Sequence, residues 1–330
     1  MVDWTGRSVL VTGAGGFIGS HLTERLVGEG AEVRAFVRYN SRGDLGLLGV
    51  LPRETFRQIE ILAGDLRDVE AVRSAVKGVD TVFHLGALIA IPYSYRHPRE
   101  VIETNVMGTL NVLMAGRDHN VRRIVHTSTS EVYGTGQYVP IDENHPLQGQ
   151  SPYSASKIGA DKIVESFARS FGLPVATLRP FNTYGPRQSA RAVIPTIITQ
   201  ALTCDEIRLG SVDPKRDFTF VADTADGFVR LATVDAAIGQ EVNIGANSTI
   251  SIGELVEKIL VLVGRELPIV TEDVRKRPER SEVMRLWASN RKARELIGWE
   301  PRVSLDEGLS RTIEWIRQNL DRYRPGVYEV

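Results

Sequence analysis

The feature that most constrains the fold is a run of glycines directly after the first apolar segment of the chain. Ser8–Thr12 has the pattern of a buried strand, and Gly13, Gly16 and Gly19 follow it just before a helical pattern. Glycines at this spacing allow a tight turn, a close approach of a diphosphate to the backbone, and packing of the helix on the strand. The diphosphate would then accept hydrogen bonds from free amides at the positive end of the helix. The segment therefore predicts a dinucleotide-binding loop, with cofactor contacts at Gly13, Gly16, Phe17, Ile18 and Gly19.

Short apolar segments alternate with longer amphipathic ones over the first two-thirds of the chain. This alternation is typical of parallel βαβ units, and nearly continuous apolar strands indicate a sheet covered on both faces. We therefore predict an α/β fold built on a Rossmann-type, doubly wound parallel sheet. The predicted strands are Ser8–Thr12, Glu32–Arg38, Ile59–Asp65, Thr81–Ala87, Arg123–Thr129 and Val175–Phe181.

The pattern becomes less regular after about residue 182. Short strands are predicted at Ile207–Leu209 and Glu241–Ile244, and Ser251 and Glu254 have the spacing of a capping box at a helix start. We expect residues 1–182 to form a dinucleotide-binding domain that also carries the catalytic residues. Residues 183–330 are expected to form a smaller, mixed α/β substrate lobe, and the chain can cross between the lobes more than once.

Charge and cysteine content exclude several classes of function. Lysine plus arginine number 40 and aspartate plus glutamate 41, for a net charge of −1, which removes the general electrostatic case for a nucleic-acid or anionic-membrane binder. Cys204 is the one cysteine, so neither an intrachain disulfide nor a cysteine zinc site is possible. The six histidines have no metal-ligand spacing, and no metal is predicted. Without a secretory signal or an apolar run of bilayer length, we expect a cytoplasmic protein.

The end of the second predicted strand bears on the choice of cofactor. An NAD site normally ends this strand with an acid that binds the ribose hydroxyls. This strand ends in Arg38, with Asn40 and Ser41 close behind, and no acid occurs before Asp44. A guanidinium suits a 2′-phosphate, which favours NADP over NAD, although Arg38 could instead stack on the adenine. The other predicted cofactor contacts follow later strands, at Asp65, Leu66, Leu85, Ala87 and Pro180.

A tyrosine and a lysine near the start of a predicted helix form the candidate catalytic pair. Tyr153 and Lys157 are four residues apart, so they share one face of the helix. An ammonium beside a phenol lowers the phenol pKa and allows it to act as a base near neutral pH. The preceding strand ends in Thr129, Ser130 and Glu131, at the sheet edge where open α/β folds bind ligands. A surface helix pair is the alternative interpretation of Tyr153 and Lys157.

These motifs together resemble the extended short-chain dehydrogenase/reductase family over essentially the whole chain. The matching segments are TGAGGFIG after the first strand, YSASK around the tyrosine, RPFNTYGP at Arg179–Pro186, and RDFTFVADTADG at Arg216–Gly227. Members of the family act on nucleotide-activated sugars with a tightly bound, recycled NAD or NADP. The resemblance implies that Tyr153 takes the proton of the sugar 4-hydroxyl while hydride leaves carbon 4 for the nicotinamide. It also implies that Thr129 hydrogen-bonds that oxygen, and that Lys157 binds the nicotinamide ribose.

Glu131 distinguishes between reactions within this family. A 4-epimerase has no use for an acid there, whereas a 4,6-dehydratase needs a base for the proton on carbon 5. In an extended segment Glu131 and Thr129 would face the same side. The Thr-Ser-Glu segment is similar to that of GDP-mannose 4,6-dehydratases. It departs from dTDP-glucose 4,6-dehydratases, which have Asp in place of Ser130, so the acid for the departing hydroxyl stays open, and Glu131 could serve in both roles.

Three alternatives accompany the 4,6-dehydratase interpretation. UDP-glucuronate decarboxylases share the Thr-Ser-Glu segment but usually carry Tyr-Asp-Glu-Gly-Lys where this chain has YSASK. A UDP-sugar 4-epimerase is the second alternative, and a cofactor-sensing protein without turnover is the third, which the intact Tyr153 and Lys157 pair disfavours. The loop Ala87–Tyr95 resembles dehydratases of bacterial legionaminic acid synthesis, so UDP-N-acetylglucosamine is the favoured substrate and GDP-mannose the next.

The second lobe must supply cations for the diphosphate of such a substrate. Arginines together with an asparagine would form a fork-shaped anion site. Arg280 is a weaker candidate, and the long helices predicted at Pro98–Arg117 and Tyr153–Phe171 pair into a homodimer in the family. His84 and His126 fall in predicted buried strands and are expected to be core residues. The predicted substrate-binding residues are Ser94, Asn182, Arg187, Arg216 and Arg285.

Overall fold

The computed structural model describes residues 3–328, and its centre is a seven-stranded, all-parallel sheet. Six of its strands lie in the first two-thirds of the chain, which confirms the predicted doubly wound α/β fold. The chain order reverses between β1 and β4, the position where ligands bind in open α/β sheets. The strands are β1 (Ser8–Thr12), β2 (Glu32–Arg38), β3 (Ile59–Gly64), β4 (Thr81–His84), β5 (Arg123–Thr127), β6 (Val175–Pro180) and Glu241–Ile244, in the spatial order Glu241–Ile244, β6, β5, β4, β1, β2, β3.

The seventh strand corrects the prediction for the second lobe. Glu241–Ile244 was expected in the smaller lobe, but it pairs in parallel with β6 at the edge of the main sheet. Val242 and Ile244 are fully buried there, and their burial in the main core explains the placement. The helix before this strand, Val221–Thr233, joins the first helix through an ion pair of Asp226 with Arg25 at 2.8 Å. The chain thus returns to the first lobe, and the division at residue 182 stays a proposal.

Helices cover both faces of the sheet, and three two-stranded ladders stabilise the second lobe. The ladders join Thr183–Tyr184 to Thr219–Phe220, Lys215–Arg216 to Ile250–Ser251, and Ile207–Leu209 to Ile269–Thr271. Among residues 3–328, no helix is long and apolar enough to cross a membrane. The α-helices are Phe17–Gly28, Arg53–Phe56, Val69–Val76, Ile91–Arg96, Pro98–Ile102, Gly108–Asp118, Pro152–Phe171, Val193–Thr203, Val221–Thr233, Ile252–Val263, Arg291–Ile297 and Leu305–Gln318.

The long helix predicted at Pro98–Arg117 contains a π-helical turn. Glu103–Met107 forms this turn between the α-helical parts, and such turns occur mostly as local bulges. Asn105, inside the turn, is buried, and its carboxamide pairs with the backbone of Leu88 at 2.8 and 2.9 Å. The next residue, Gly108, packs closely on Leu66: a Cβ at position 108 would lie only 2.9 Å from the Cβ of Leu66. The helix therefore positions the loop that follows β4.

Candidate active site

The glycine loop leaves a cradle that side chains would fill. Gly13 has a φ of +70°, and a Cβ there would lie 2.8 Å from the Cα of Gly86. A Cβ on Gly19 would collide with the carbonyl oxygen of Gly13. Gly16 is the N-cap of the helix that begins at Phe17. No side chain among residues 3–328 caps this helix, so the amides of its first turn are available to a ligand. A close backbone approach and uncapped amides fit the diphosphate of a dinucleotide.

A buried hydrogen-bond chain holds the segment after β4 beside this loop. The Thr12 hydroxyl accepts hydrogen bonds from the amides of Leu85 and Gly86 at 3.1 and 3.0 Å. Its own proton is then available for Nδ1 of His84 at 2.8 Å, which leaves Nε2 of His84 to donate to Thr109 at 3.0 Å. Burial lowers the pKa of His84 well below its ordinary value, so the ring is neutral. His84 is thus a hydrogen-bonded core residue, as predicted.

Two of the residues predicted at the 2′-position of the ribose have other surroundings. Oδ1 of Asn40 accepts from the amides of Arg42 and Asp44, and its Nδ2 donates to the Asp44 carbonyl. These local hydrogen bonds shape the loop, and the prediction that Asn40 contacts the cofactor stays a prediction. Ser41 is exposed beside it, and its role stays a prediction.

Arg38 lies at the end of β2, as predicted, but it faces a carboxylate from another element. Its Nη2 is 3.4 Å from Oε1 of Glu100, and its side chain is 64% exposed. Asp65, after β3, is held by Arg67 at 2.6 Å. Leu66 is buried and packs beneath this edge of the sheet. This edge of the sheet therefore carries positively and negatively charged side chains. The sequence around Arg38 indicated only the positive charge.

The candidate catalytic pair is buried at the start of the helix Pro152–Phe171. A capping box at Ser151 starts this helix directly beside the carboxyl end of β5. Lys157 Nζ donates to the carbonyl of Thr127 at 2.6 Å, and burial lowers the pKa of Lys157 to about 8. Burial raises the pKa of Tyr153 well above its ordinary value, while a hydrogen bond to Thr129 acts in the opposite direction. The expected lowering of the Tyr153 pKa by Lys157 is absent, because desolvation dominates and Thr127 binds the ammonium.

The segment after β5 turns rather than extends, which corrects the predicted geometry. Ser130–Tyr133 is a 3₁₀ turn, and its cap is Thr129, whose hydroxyl accepts from the amide of Glu131 at 3.2 Å. The turn buries Ser130, which is only 3% exposed, and its predicted place among the catalytic residues stays a prediction. Glu131 instead reaches the cleft, close enough to Tyr153 to contribute to its raised pKa.

A buried ionic network supports the catalytic helix from below. Asp161, one turn after Lys157, accepts from Ser128 at 2.7 Å and from Arg179 at 3.0 Å, and it pairs with Nε2 of His126 at 3.2 Å. Burial opposes ionisation, but the hydrogen bond from His126 and the charge of Arg179 lower the Asp161 pKa to about 2. The Asp161 charge in turn raises the pKa of Lys157. Asp161 therefore offsets part of the desolvation cost at Lys157.

Two arginines of the second lobe converge on Glu131. Arg216 is 7% exposed and lies 3.2 Å from Oε1 of Glu282. Nη1 of Arg277 lies 3.9 Å from Oε2 of Glu131 and 3.8 Å from Oε1 of Glu282. That Nη1 is buried without a hydrogen-bond partner among residues 3–328. Arg277 is not among the predicted phosphate ligands, although it lies in the same basic run as Arg280 and directly precedes Pro278.

The remaining predicted phosphate ligands separate into two groups. Arg285 lies over the ring of Trp287 at 5.2 Å, and its Nε is buried without a partner among the described residues. Asn182 donates to the carbonyl of Asp217 at 3.3 Å, beside Arg216 in the chain. Arg280 is exposed. Arg285 and Asn182 thus remain candidate ligands of the diphosphate. The exposure of Arg280 adds nothing in favour of a role in phosphate binding.

Arg187 and Ser94 are placed differently from the predictions. Arg187 donates to Glu24 of the first helix at 2.7 Å, so its charge is already paired there. Ser94 is fully buried, and its hydroxyl donates to the carbonyl of Ile91 at 2.7 Å within its own helix. The local hydrogen bond satisfies Ser94, and the structure gives no support for it as a substrate ligand. Nη1 of Arg187, by contrast, is buried without a hydrogen-bond partner among residues 3–328, so Arg187 stays a predicted phosphate ligand.

A model of the GDP-mannose 4,6 dehydratase family matches residues 10–312. The chain belongs to this family. Its relatives in the family are NAD-dependent epimerases and dehydratases of nucleotide sugars, so the resemblance to extended short-chain dehydrogenase/reductases is confirmed. The protein is therefore an enzyme of the NAD-dependent nucleotide-sugar epimerase/dehydratase family.

Similar proteins of the family include both reaction types. The chain is 33% identical to the UDP-glucose 4-epimerase of Mycolicibacterium smegmatis, over 93% of this chain and 98% of the relative. It is 32% identical to the dTDP-glucose 4,6-dehydratase of Xanthomonas campestris, over 94% and 93%. DesIV, the dTDP-glucose 4,6-dehydratase of Streptomyces venezuelae solved with NAD and TYD bound, superposes with a TM-score of 0.85 at 29% identity, over 96% and 99%. Overall likeness thus leaves the choice of reaction to the residues of the site.

Proposed function

We propose that the enzyme is a nucleotide-sugar 4,6-dehydratase. The observation that carries this proposal is the position of Glu131 in the cleft. Its carboxylate lies near the Tyr153 phenol, and its ion-pair distance to Arg277 is long, at 3.9 Å. A 4-epimerase would gain nothing from a second buried acid beside its catalytic tyrosine, because burying a carboxylate is costly. A dehydratase needs such an acid.

The first step uses Tyr153 and its neighbours. Tyr153 takes the proton of the sugar 4-hydroxyl, and Thr129 hydrogen-bonds the same oxygen. A bound nicotinamide would supply the hydride chemistry, accepting hydride from carbon 4 and returning it to carbon 6. The raised pKa of Tyr153 means that the phenol is protonated in the free enzyme. Lys157 must therefore favour the phenolate once substrate and cofactor exclude water.

The second step belongs to Glu131. A ketone at carbon 4 acidifies the hydrogen on carbon 5, and the Glu131 carboxylate removes it as a proton. The 6-oxygen leaves as water after receiving one proton, and Glu131 is the acid that we propose for this transfer. Ser130 lies buried in the 3₁₀ turn, and its part in the reaction stays a prediction. After hydride reaches carbon 6, carbon 5 regains a proton that ultimately comes from solvent, so the net change is the loss of one water.

The second lobe would hold the substrate diphosphate. Arg216 is buried, and Arg277 and Arg285 are partly buried. Each of the latter two has one buried N–H group without a partner among residues 3–328. Unpaired buried donors are costly unless an acceptor arrives, and a diphosphate is such an acceptor. Asn182 lies beside this cluster. The resemblance of the loop Ala87–Tyr95 supports UDP-N-acetylglucosamine as the substrate, and GDP-mannose is the next candidate.

Cofactor preference and assembly are also part of the proposal. Arg38 at the end of β2 supports NADP as the preferred cofactor, tightly bound and recycled within each turnover. Exposed apolar side chains on the paired helices support a homodimer: Ile102, Met107 and Phe171 are 48%, 47% and 53% exposed. In the proposed dimer, the helical stretch predicted at Pro98–Arg117 and the helix Pro152–Phe171 of two copies pack together.

Product mass tests the proposed reaction. The protein would be incubated with UDP-N-acetylglucosamine, GDP-mannose or UDP-glucuronate, and the products analysed by mass spectrometry. A product lighter by one water supports the dehydratase. The epimerase relatives favour 4-epimerisation as the second candidate, which would give a product of unchanged mass and an altered chromatographic position. Loss of carbon dioxide from UDP-glucuronate would instead identify a decarboxylase.

A further inference from the structure

The ribose end of the cofactor site carries a carboxylate that comes from an unexpected element. Glu100 lies on the short helix Pro98–Ile102, and its Oε1 is 3.4 Å from Nη2 of Arg38. In dinucleotide folds, the acid that binds the ribose hydroxyls lies at the end of the second strand. Here β2 ends in a cation, and the neighbouring helix supplies the acid. Arg38 and Glu100 therefore form one unit at the position that distinguishes NAD from NADP.

Glu100 is the anchored member of this pair. Its Oε2 accepts a hydrogen bond from the Tyr93 hydroxyl at 2.5 Å, and its side chain is only 26% exposed. The hydrogen bond from Tyr93 and the charges of Arg38 and Arg67 lower the pKa of Glu100. Glu100 is therefore ionised at neutral pH. Arg38 is 64% exposed, so the guanidinium is the partner that can turn toward a ligand.

A second ion pair leaves this corner without net charge. Arg67 grips Asp65 with two hydrogen bonds, at 2.6 and 3.0 Å. The charge of Arg38 contributes to the lowered pKa of Asp65, so the two pairs are electrostatic neighbours. Two guanidinium groups and two carboxylates cancel. A 2′-phosphate would gain Arg38 only by displacing Glu100, whereas the uncharged 2′-hydroxyl of NAD meets no such competition.

We propose that Glu100 is a specificity-determining residue that limits the preference for NADP by competing with the 2′-phosphate for Arg38. The inference rests on the proposed binding of a nicotinamide dinucleotide and is independent of the reaction that follows. Arg38 attracts the 2′-phosphate, and the Glu100 carboxylate weakens that attraction by pairing with the same guanidinium. The balance between the two cofactors then depends on a pair of side chains rather than on one.

Equilibrium binding of reduced cofactors tests this competition. The purified protein and its Glu100→Gln variant would be titrated with NADPH and with NADH, using the fluorescence of the reduced nicotinamide. Glutamine keeps the size of the side chain and can still accept from Tyr93, but it removes the charge. We expect the Kd for NADPH to fall by about three- to tenfold, the effect of one charge at a partly exposed site, with the Kd for NADH within about twofold. The ratio of NADP to NAD released on denaturation should rise in parallel.

Two further variants isolate the role of Arg38. In an Arg38→Ala background, Glu100→Gln should give no further gain for NADPH, because the contested cation is gone. Glu103→Gln is the matched control, since Glu103 lies on the next helical segment and pairs with the exposed Arg99 at 2.7 Å. The same charge change there should leave both affinities unaltered. An equal gain from Glu103→Gln, or one that persists without Arg38, would overturn the proposal.

The outcomes also separate this inference from the proposed function. Equal NADPH affinities in the wild type and in Glu100→Gln would overturn the specificity role alone. Failure of the wild type to bind either cofactor would overturn the proposed dehydratase as well. A parallel improvement for NADH and NADPH would show a general charge effect and would likewise contradict the competition at the 2′-position.

Discussion

Lys157 donates a 2.6 Å hydrogen bond from its Nζ to the backbone carbonyl of Thr127, the last residue of β5. This contact holds the N-terminal part of the helix Pro152–Phe171 against the edge of the sheet where Tyr153 and Glu131 lie. It also explains why the ammonium does not lower the Tyr153 pKa in the free enzyme. Catalysis then depends on whether Lys157 is protonated when the substrate and the cofactor bind.

The depressed pKa of Lys157 predicts a pH limit to activity. Burial lowers this pKa to about 8, so the ammonium loses its proton as the pH rises through that value. If the charged form assists Tyr153, kcat/KM should fall by about tenfold per pH unit above about 8. Lys157→Arg, which stays charged, should be slower but should lack this descending limb. A wild-type profile that is flat to pH 9.5 would contradict the role.

Replacing Arg277 should impair substrate binding more than turnover. Arg277→Ala removes a charged donor to the diphosphate, a contact worth about 1.5–3 kcal/mol, so KM should rise by about ten- to a hundredfold. The contact is similar in the ground and transition states, so kcat should change little. Steady-state kinetics with the identified substrate measure both constants. Arg280→Ala, an exposed neighbour in the same run, should behave as the wild type, and equal effects of the two variants would contradict the assignment.

Asp161 is expected to stabilise the fold rather than to react. Asp161→Asn removes the nearest charge partner of the buried Arg179 guanidinium and leaves only the longer contact with Glu241, at 3.8 Å, among residues 3–328. Breaking a buried pair costs about 3–5 kcal/mol. The wild-type contribution is present above the unfolded carboxyl pKa of 3.8 and is lost as the pH falls toward about 2. Chemical denaturation at pH 7 and at pH 3, inside this window, should therefore show a smaller difference between wild type and variant at the lower pH.

Glu165 on the same helix provides the control for Asp161. It forms ion pairs with Lys162 and Arg169 near the surface, at 2.8 Å each. Glu165→Gln should reduce the free energy of unfolding by no more than about 1 kcal/mol. Equal reductions in the free energy of unfolding in the two variants would mean that the buried network around Asp161 stabilises the fold no more than a surface ion pair does.

The proposed dimer predicts that a charge on one helix face produces monomers. Met107→Glu adds a carboxylate to an exposed apolar position, 47% exposed in the single chain, that we expect to be buried between two copies. Light scattering should show half the wild-type mass. Val261→Glu changes another exposed apolar residue, 80% exposed in the second lobe, and should leave the mass unchanged. A monomeric wild type, or a dimer in Met107→Glu, would contradict the assembly.

Sequence patterns predicted those parts of the structure that depend on local periodicity. The strand at Ser8–Thr12, the capping box at Ser251 and the helix ending at Phe171 follow from apolar spacing and cap residues. The strand Glu241–Ile244 has the right local pattern, but only its burial against β6 shows which sheet it joins. Such a choice depends on contacts between residues far apart in the chain.

The differences at the site have the same origin. Asn40 and Ser94 have suitable chemistry, but each is hydrogen-bonded to a nearby polar group that the sequence does not reveal. Arg187 pairs through Nη2 with Glu24 of the first helix, which the sequence does not reveal either. Ser130 is buried because the Thr129 hydroxyl caps a turn where an extended segment was expected. Arg277 and Glu100 enter from distant segments, and only the folded structure brings them to Glu131 and Arg38.

The direct test of the central claim is product formation by Glu131→Gln. This variant keeps Tyr153 and Lys157, so it should still oxidise carbon 4 and leave the nicotinamide reduced. It should lose water from the sugar at least a hundredfold more slowly, since a positioned base typically contributes a factor of about 10² to 10⁴. The measurement is the mass of the nucleotide sugar over time, alongside the absorbance of the reduced cofactor. Accumulated reduced cofactor without dehydration is the predicted result, and water loss at the wild-type rate would contradict the account.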